Sequence, residues 1–539
     1  MTCDNVVVQG FSDSQPDLWD TSSMLGGLLP QGSVFAFLAE HRLALFPESM
    51  FADLFPSGRG RPSTPPEVVA SVMVLQALHG LSDRAAAEAV TFDLRWKAAC
   101  GLAVDAPAFH PTVLTYWRKR LAGSESPNRI FDAVKAVIAQ TGVLAGRTRR
   151  ALDSTVLNDA VATQDTITQL KAAVRKVAAL VPGGADAVAV HGSACDYATA
   201  GKPDIAWDDP VARADLVDAL VRDAVAVLAA MTGADADPVE PDTTAGQALA
   251  LLALLAGQDV EWVEPDDDTA GGGRWRIAHR VASERVISTV DPDARHARKT
   301  RANRQDGYKG HISIEPDTGL VTGAAVTKAA GAGSGDAAAG AVLLRGETDS
   351  TDDDSGVRFE VLGDSAYGSG EFLAELTESG HVANIKPHPT PAHIENGFTA
   401  DDFTVDHDNK TVVCPAGHTV SFANKSATAR FKTCCTGCPF RLRCTTARAG
   451  REMKIGVHDR IHRAHRARWN TDDALRARYR RHRPMVERSI AWMTRGVRTL
   501  RYRGVVKNDA WWQLRAASIN LRRIAALGAT HNQGSWQMA

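Results

Sequence analysis

The apolar positions fall into stretches of two different periods. Val68, Val69, Val72, Val74, Leu75 and Leu78 recur at helical spacing behind Pro65-Pro66, which predicts a helix that Gly80 ends. Ser82 and Asp83 start a second helix over 84–90, and a third follows Pro111 with Trp117, Arg118, Lys119 and Arg120. Helix, short glycine turn and helix with basic residues nearby suits a helix-turn-helix DNA reader and a plain helical bundle equally. From Arg147 the period changes. RTRRALDSTVL reads as a short strand ending around Asp153, and Ala- and Asp-rich helical pieces follow at 165–180, 212–231 and 246–256. Gly183-Gly184, Pro203, Pro210, Pro238 and Pro241 break these pieces, as in an inserted helical module. Alternation returns at 311–314 and 320–326, joined by Glu315-Pro316-Asp317-Thr318-Gly319 as a hairpin. A small-residue helix (336–344), an exposed acidic loop (349–354), a strand (359–362), a helix (371–379), a strand (381–385) and a helix (472–493) follow. This order predicts an α/β fold with a mixed sheet behind an all-helical unit.

Composition narrows the class. With 539 residues the chain has room for three or four units at about 150 each. Apolar residues make up 44% and charged residues 23%, as in soluble globular proteins. The longest apolar stretch, 248–257, falls far short of the roughly 18 residues that a membrane span needs. No basic segment precedes an apolar core at the amino terminus, so a secretory signal is not expected and a cytoplasmic setting is.

The net charge of −2 hides a division along the chain. Residues 186–268 hold 18 acids against 3 basic residues, whereas 430–503 hold 21 basic residues against 5 acids. The basic segment points to a polyanion, above all nucleic acid, with Arg460, Arg463, Arg466, Arg468, Arg478, Arg480, Arg481 and Arg483 expected on backbone phosphates. Of 8 cysteines, Cys414, Cys434, Cys435, Cys438 and Cys444 are clustered, which in a reducing compartment suits a metal better than disulfides. Cys435-x₂-Cys438 with Cys414 and Cys444 makes a tetrahedral structural Zn²⁺ set, in which His418 or Cys434 is an alternative ligand. Unliganded thiols are the other reading.

Asp153 and Asp364 each follow a strand-like run, and active groups of open α/β sheets gather at the strands' carboxyl edge. Arg480, Arg483 and Glu487 are spaced to share a face of a later helix. Three carboxylates of this kind suit two Mg²⁺ ions, with Mn²⁺ as a substitute, in phosphoryl transfer. Trp511 and Trp512 suit either the core or stacking on an unpaired base.

As an ordered set, LDST (152–155), DGYKGH (306–311), GDSAYGS (363–369) and RPMVERSIAWMTR (483–495) resemble the bacterial insertion-sequence transposases of the Asp-Asp-Glu type. The helical segment from Phe51 is similar to their amino-terminal domain, and with RYRG at 501–504 the resemblance runs from about 51 to 504. It implies a ribonuclease-H-like mixed sheet whose first, second and third acids are Asp153, Asp364 and Glu487. It also implies DNA contacts by Arg480, Arg483, Lys309 and His311, with Arg495 standing in for a lysine that many relatives carry. The tyrosine of that pattern falls on Arg480, with Tyr479 one residue off.

The activity so implied is cleavage of double-stranded DNA at the element's terminal repeats, then attack of the freed 3′-hydroxyl on target DNA, by a homodimer or higher assembly. A non-catalytic DNA-binding protein descended from a decayed transposase, or a nuclease on the same fold, is the alternative. The expected organisation is a flexible terminus (1–30), a helical DNA-binding domain (31–145), a catalytic core (146–160 and 275–390), an acidic helical insertion (161–274), a Cys-rich insertion (391–455), carboxy-terminal catalytic helices (456–527) and a tail (528–539).

Overall fold

Pro66 stands at the first position of a helix, where its missing N–H is not needed, and Gly80 closes that helix in the left-handed region at φ 68°. This helix belongs to a computed structural model that describes residues 7–12, 19–57, 59–233, 238–264, 272–280, 282, 284–298, 304–348, 358–423 and 427–538. The acidic loop expected at 349–354 lies outside the described residues. The amino-terminal unit is built on α1 (Val34–Leu45), α2 (Pro66–His79), α3 (Asp83–Phe92), α4 (Leu94–Cys100), α5 (Thr112–Ala122) and α6 (Arg129–Gln140). Residues 66–77 of α2 are all buried, so α2 is the axis of a bundle and offers no face to a partner. The segment before α1, expected to be loose, is partly tied down: Val7 and Val8 pair with Arg61 and Pro62, and Asp20 bridges to Ala103.

The first sheet strand, β1 (Arg149–Asn158), leads into the insertion. Its helices α7 (Thr166–Leu180), α8 (Gly184–His191), α9 (Pro210–Thr232) and α10 (Thr244–Gln258) and its hairpin β2 (Val260–Val263) and β3 (Arg274–Ile277) enclose a separate core that includes Leu170, Val174, Leu220 and Leu252. This module runs past the expected boundary at 274. Val286 joins its core, the Val286 N–H donates to Gln258 Oε1 at 2.7 Å, and Thr289 N–H donates to Gln164 Oε1 at 2.7 Å.

The sheet resumes with β4 (Arg295–Arg298), β5 (Arg304–Glu315), β6 (Leu320–Lys328), β7 (Glu360–Gly363) and β8 (Val382–Ile385), with α11 (Asp336–Thr348) and α12 (Gly370–Glu378) as crossovers. β5 is antiparallel to β1, β6 and β4; β7 is parallel to β1 and β8. The order is therefore β8-β7-β1-β5 with β6 and β4 both on the far side of β5. The short turn at 316–319 allows the antiparallel pair, whereas the parallel pairs need the helical crossovers. Asp153 does not end its strand as expected, because pairing with β5 carries β1 on to Asn158.

A small β module follows: β9 (Thr404–Asp406), β10 (Thr411–Val413), β11 (Thr419–Ser421), β12 (Thr428–Arg430) and β13 (Glu452–Lys454), around Phe403, Val412, Phe431 and Met453. The chain finishes with α13 (Asp459–Thr471), α14 (Asp473–Thr494), α15 (Val505–Ala526) and a hairpin, β14 (Ala529–Asn532) with β15 (Ser535–Met538). That hairpin corrects the expected tail: Trp536 is buried and stacks on Phe37 with ring centroids 5.7 Å apart. α15 fastens the helical unit to the sheet, since Trp512 and Ile519 share one core with Val69, Phe131 and Ile312. Among the described residues no helix is long and apolar enough to cross a membrane.

Candidate active site

Register brings the two aspartates together. The parallel ladder of β1 and β7 ends at Ala151 opposite Leu362, so Asp153 and Asp364, each two residues further along the chain, leave the same end of the ladder, near enough for the charge of Asp364 to act on Asp153. Asp153 is largely buried, and burial pushes its carboxyl up, partly offset by Arg483 and by the Ser154 N–H, while the charge of Asp364 adds to the rise. Asp364 caps a short turn, accepting the Ala366 N–H at 3.0 Å. Tyr367, buried beneath both aspartates, has its hydroxyl pushed far up by burial and by the charges of Asp336, Asp153 and Asp364.

The expected third acid, Glu487, lies on α14, which a half-buried polar network pins across the sheet. Glu360 on β7 accepts from Arg478 Nε at 2.8 Å, Arg149 Nε at 3.0 Å and Asn384 Nδ2 at 2.9 Å. Asn384 also donates to the Leu475 carbonyl at 3.2 Å. Arg483 then reaches Asp153, Nη1 to Oδ2 at 3.2 Å and Nη2 to Oδ1 at 3.2 Å. Glu487, one turn on, is exposed. The face shared with Arg483 holds Tyr479 where the spacing pointed to Arg480: Tyr479 adjoins Arg483 and feels the charges of Asp364 and Glu487, while Arg480 is exposed. Residues four apart on a helix stack one above the other, and that relation between Tyr479 and Arg483 was legible in the sequence.

The other expected DNA contacts divide. Arg480 and Arg495 are exposed. Lys309 is tied to Asp336, Nζ to Oδ1 at 3.1 Å, and Asp336 also accepts from Ser154 Oγ at 2.7 Å. His311 needs correction: it is fully buried, its Nε2 lies 2.9 Å from Thr327 Oγ1, and it presents nothing to a DNA strand. Five of the eight arginines expected on phosphates are paired inside the chain: Arg460 with Asp408, Arg463 with Asp459, Arg466 with Asp401, Arg478 with Glu360 and Arg483 with Asp153.

Trp512 is core, donating Nε1–H to the His311 carbonyl at 3.1 Å. Trp511 instead lines a cleft of about 540 Å³ between α2, α5, α6 and α15, with Tyr502 as a second aromatic wall and Lys119, Arg501 and Lys507 among the cations at its edge.

The cysteines meet in the small β module. Cys414, Cys434, Cys435, Cys438 and Cys444 line a cavity of about 20 Å³ closed by Phe398, Phe403 and Phe431. Gly417 and Gly437, at φ 83° and 72°, form the turns that follow Cys414 and precede Cys438. The Arg451 N–H points at Cys435 Sγ, 3.4 Å away. Burial pushes the Cys444 thiol up, opposed by Arg451 and reinforced by Cys435, Cys414 and Cys438. His418 is exposed and does not line the cavity. Among the described residues no three His, Cys, Asp or Glu side chains stand close enough together to grip a metal as they are placed.

A family model described as a transposase DDE domain matches residues 413–525, and one described as a transposase domain (DUF772) matches 27–120. No curated protein and no solved structure matches the chain. The first model spans Glu487, most of the cysteine module, and α13 to α15; the second covers most of the helical unit. Both matches support the resemblance to insertion-sequence transposases of the Asp-Asp-Glu type.

Proposed function

We propose that Asp153, Asp364 and Glu487 form the catalytic triad of a DNA transposase, which cleaves the ends of its element and joins the freed 3′-hydroxyl to target DNA. The observation that carries this reading is the register that brings Asp153 and Asp364 off the same end of the parallel ladder. A strand order of three antiparallel and two parallel pairings supports a ribonuclease-H-like core. The donor chemistry fits Mg²⁺ or Mn²⁺: carboxylate oxygens are hard ligands, and the charge of Asp364 adds to the rise of the buried Asp153 carboxyl, which Arg483 only partly offsets. Bound there, such ions supply an activated attacking oxygen and charge neutralisation at the leaving oxygen. The chain's own part is to hold these acids rigidly. Tyr367 fills the space beneath them, and the Glu360 network fixes the helix that bears Glu487. Arg480, Arg481 and Arg495, exposed around that helix, would position backbone phosphates.

The cysteine module is proposed as a structural Zn²⁺ site, with Cys414, Cys435, Cys438 and Cys444 as ligands around the cavity they share. Two element ends must be held at once, so the working form on DNA is a dimer or larger.

The test is cleavage and joining of DNA bearing the element's own ends, with Mg²⁺ or Mn²⁺, by wild type beside Asp364→Asn. Nicking and joining by the wild type, and neither by the variant, are expected. Nicking without joining would make the chain a nuclease. Tight DNA binding by both proteins with no cleavage by either would leave a DNA-binding protein.

A further inference from the structure

One guanidinium occupies both oxygens of the first acid. Arg483 Nη1 and Nη2 each lie 3.2 Å from an oxygen of Asp153, the fork that arginine forms equally well with carboxylates and phosphates. With side-chain exposures of 7% for Arg483 and 15% for Asp153, solvent screens the pair little. The Ser154 N–H takes a further place on Oδ1 at 2.9 Å. The Nε of Arg483 is buried with no acceptor among the described residues, so one donor of the guanidinium is still unused. Asp153 thus has its charge matched internally, by a cation set where a metal ligand must open its lone pairs.

We propose that Arg483 is a latch on Asp153: it holds the carboxylate closed to a divalent cation until a DNA phosphate takes the guanidinium, so that metal and DNA load together. This rests on the reading of Asp153 and Asp364 as metal ligands. A guanidinium on both oxygens repels an incoming divalent cation, and with the Ser154 N–H it takes three of the roughly four lone-pair positions of the carboxylate. Once a phosphate draws Arg483 away, Asp153 is left unpaired beside Asp364. Two adjacent carboxylates favour an incoming cation strongly. Arg483 does not become a buried unpaired charge, since the phosphate replaces the carboxylate in the same fork. Arg480, exposed three residues earlier on α14, offers an arriving strand its first contact. Linkage then requires that DNA tighten metal binding and metal tighten DNA binding by the same factor.

The experiment measures Mn²⁺ binding to the full chain by titration calorimetry and by the electron paramagnetic resonance of free Mn²⁺, with and without a short generic duplex. For wild type, DNA should tighten Mn²⁺ binding by about 5- to 150-fold, the usual range of such coupling. Arg483→Met should bind Mn²⁺ without DNA as tightly as wild type does with it, and should lose the coupling. Arg483→Lys keeps the charge but not the fork. It should bind Mn²⁺ more tightly than wild type when DNA is absent, and it carries the test if the Met variant does not fold. If the folded variants bind Mn²⁺ no more tightly than wild type while Asp153→Asn loses binding, the latch is wrong and the metal site stands. Should Asp153→Asn bind Mn²⁺ as wild type does, the metal reading itself falls, and the latch with it.

Discussion

At the scale of single residues, His311 shows how burial decides a role that a motif leaves open. Basic residues in DGYKGH suggest a phosphate contact, yet β5 alternates, and the alternation turns His311 into the space between sheet and α11. Burial pulls its imidazole down from 6.5 to about 4, against the Asp336 carboxylate, while Lys309 adds to the fall. The unfolded chain takes up a proton near pH 6.5 and the folded chain does not until about pH 4. The stability contribution is therefore whole above pH 6.5 and is lost as pH falls across that window, to a total of roughly 3 kcal/mol. His311→Gln keeps a donor for Thr327 and removes the titration. Its unfolding free energy, measured by denaturant from pH 7 to 4, should fall less steeply than that of wild type by about this amount. Parallel curves for the two proteins would show that His311 is not the group responsible.

At the scale of elements, legibility followed length and period. α2, α10 and α14 carry enough turns for a helical stripe and clear stop signals, and the β5–β6 hairpin has its turn written in Glu315 to Gly319. β9 to β13 were not readable, because strands of three residues are too short to display alternation. The site was half legible. Asp153 and Asp364 stood out, but their alignment depends on a pairing register that no local pattern encodes, and Asp336 gains its place only through packing. The cysteine module has a core of few apolar side chains around Phe403 and Phe431, too little to order such short strands alone. A bound ion would supply the missing stability. The purified chain is expected to carry about one zinc by elemental analysis, and Cys438→Ser to carry almost none. The same substitution, or prolonged chelation, should open 391–455 to proteolysis while α2 and α15 stay protected. Wild-type protein free of zinc and equally resistant in this segment would remove the metal from the account.

At the scale of the whole molecule, the near-neutral total charge is a sum over parts that act separately. The acidic insertion folds around its own core, and much of the basic segment's charge is matched internally: Arg466 clasps Asp401 with Nη2 to Oδ1 at 2.6 Å, and Arg463 donates to the carbonyls of Phe403 and Ala400 at 2.9 Å each. These pairs join the cysteine module to α13. Counting arginines therefore overstates the charge available to DNA, and exposed ones such as Arg468, Arg480, Arg481 and Arg495 should set the salt dependence of binding. Removing one cation from the phosphate backbone ought to reduce the slope of log K against log salt by about 0.9. Arg480→Ala and Arg481→Ala should each lower duplex affinity about equally for all sequences and flatten that slope by one such step. Arg466→Ala should leave the slope unchanged and instead lower the thermal midpoint, since it leaves Asp401 with only Thr390 Oγ1 at 3.2 Å and the more distant Arg463 at 3.9 Å, at a joint between modules. The opposite pattern, a flattened slope for Arg466→Ala and none for Arg480→Ala, would mean that DNA breaks the internal pairs and approaches from the side of the cysteine module, not along α14.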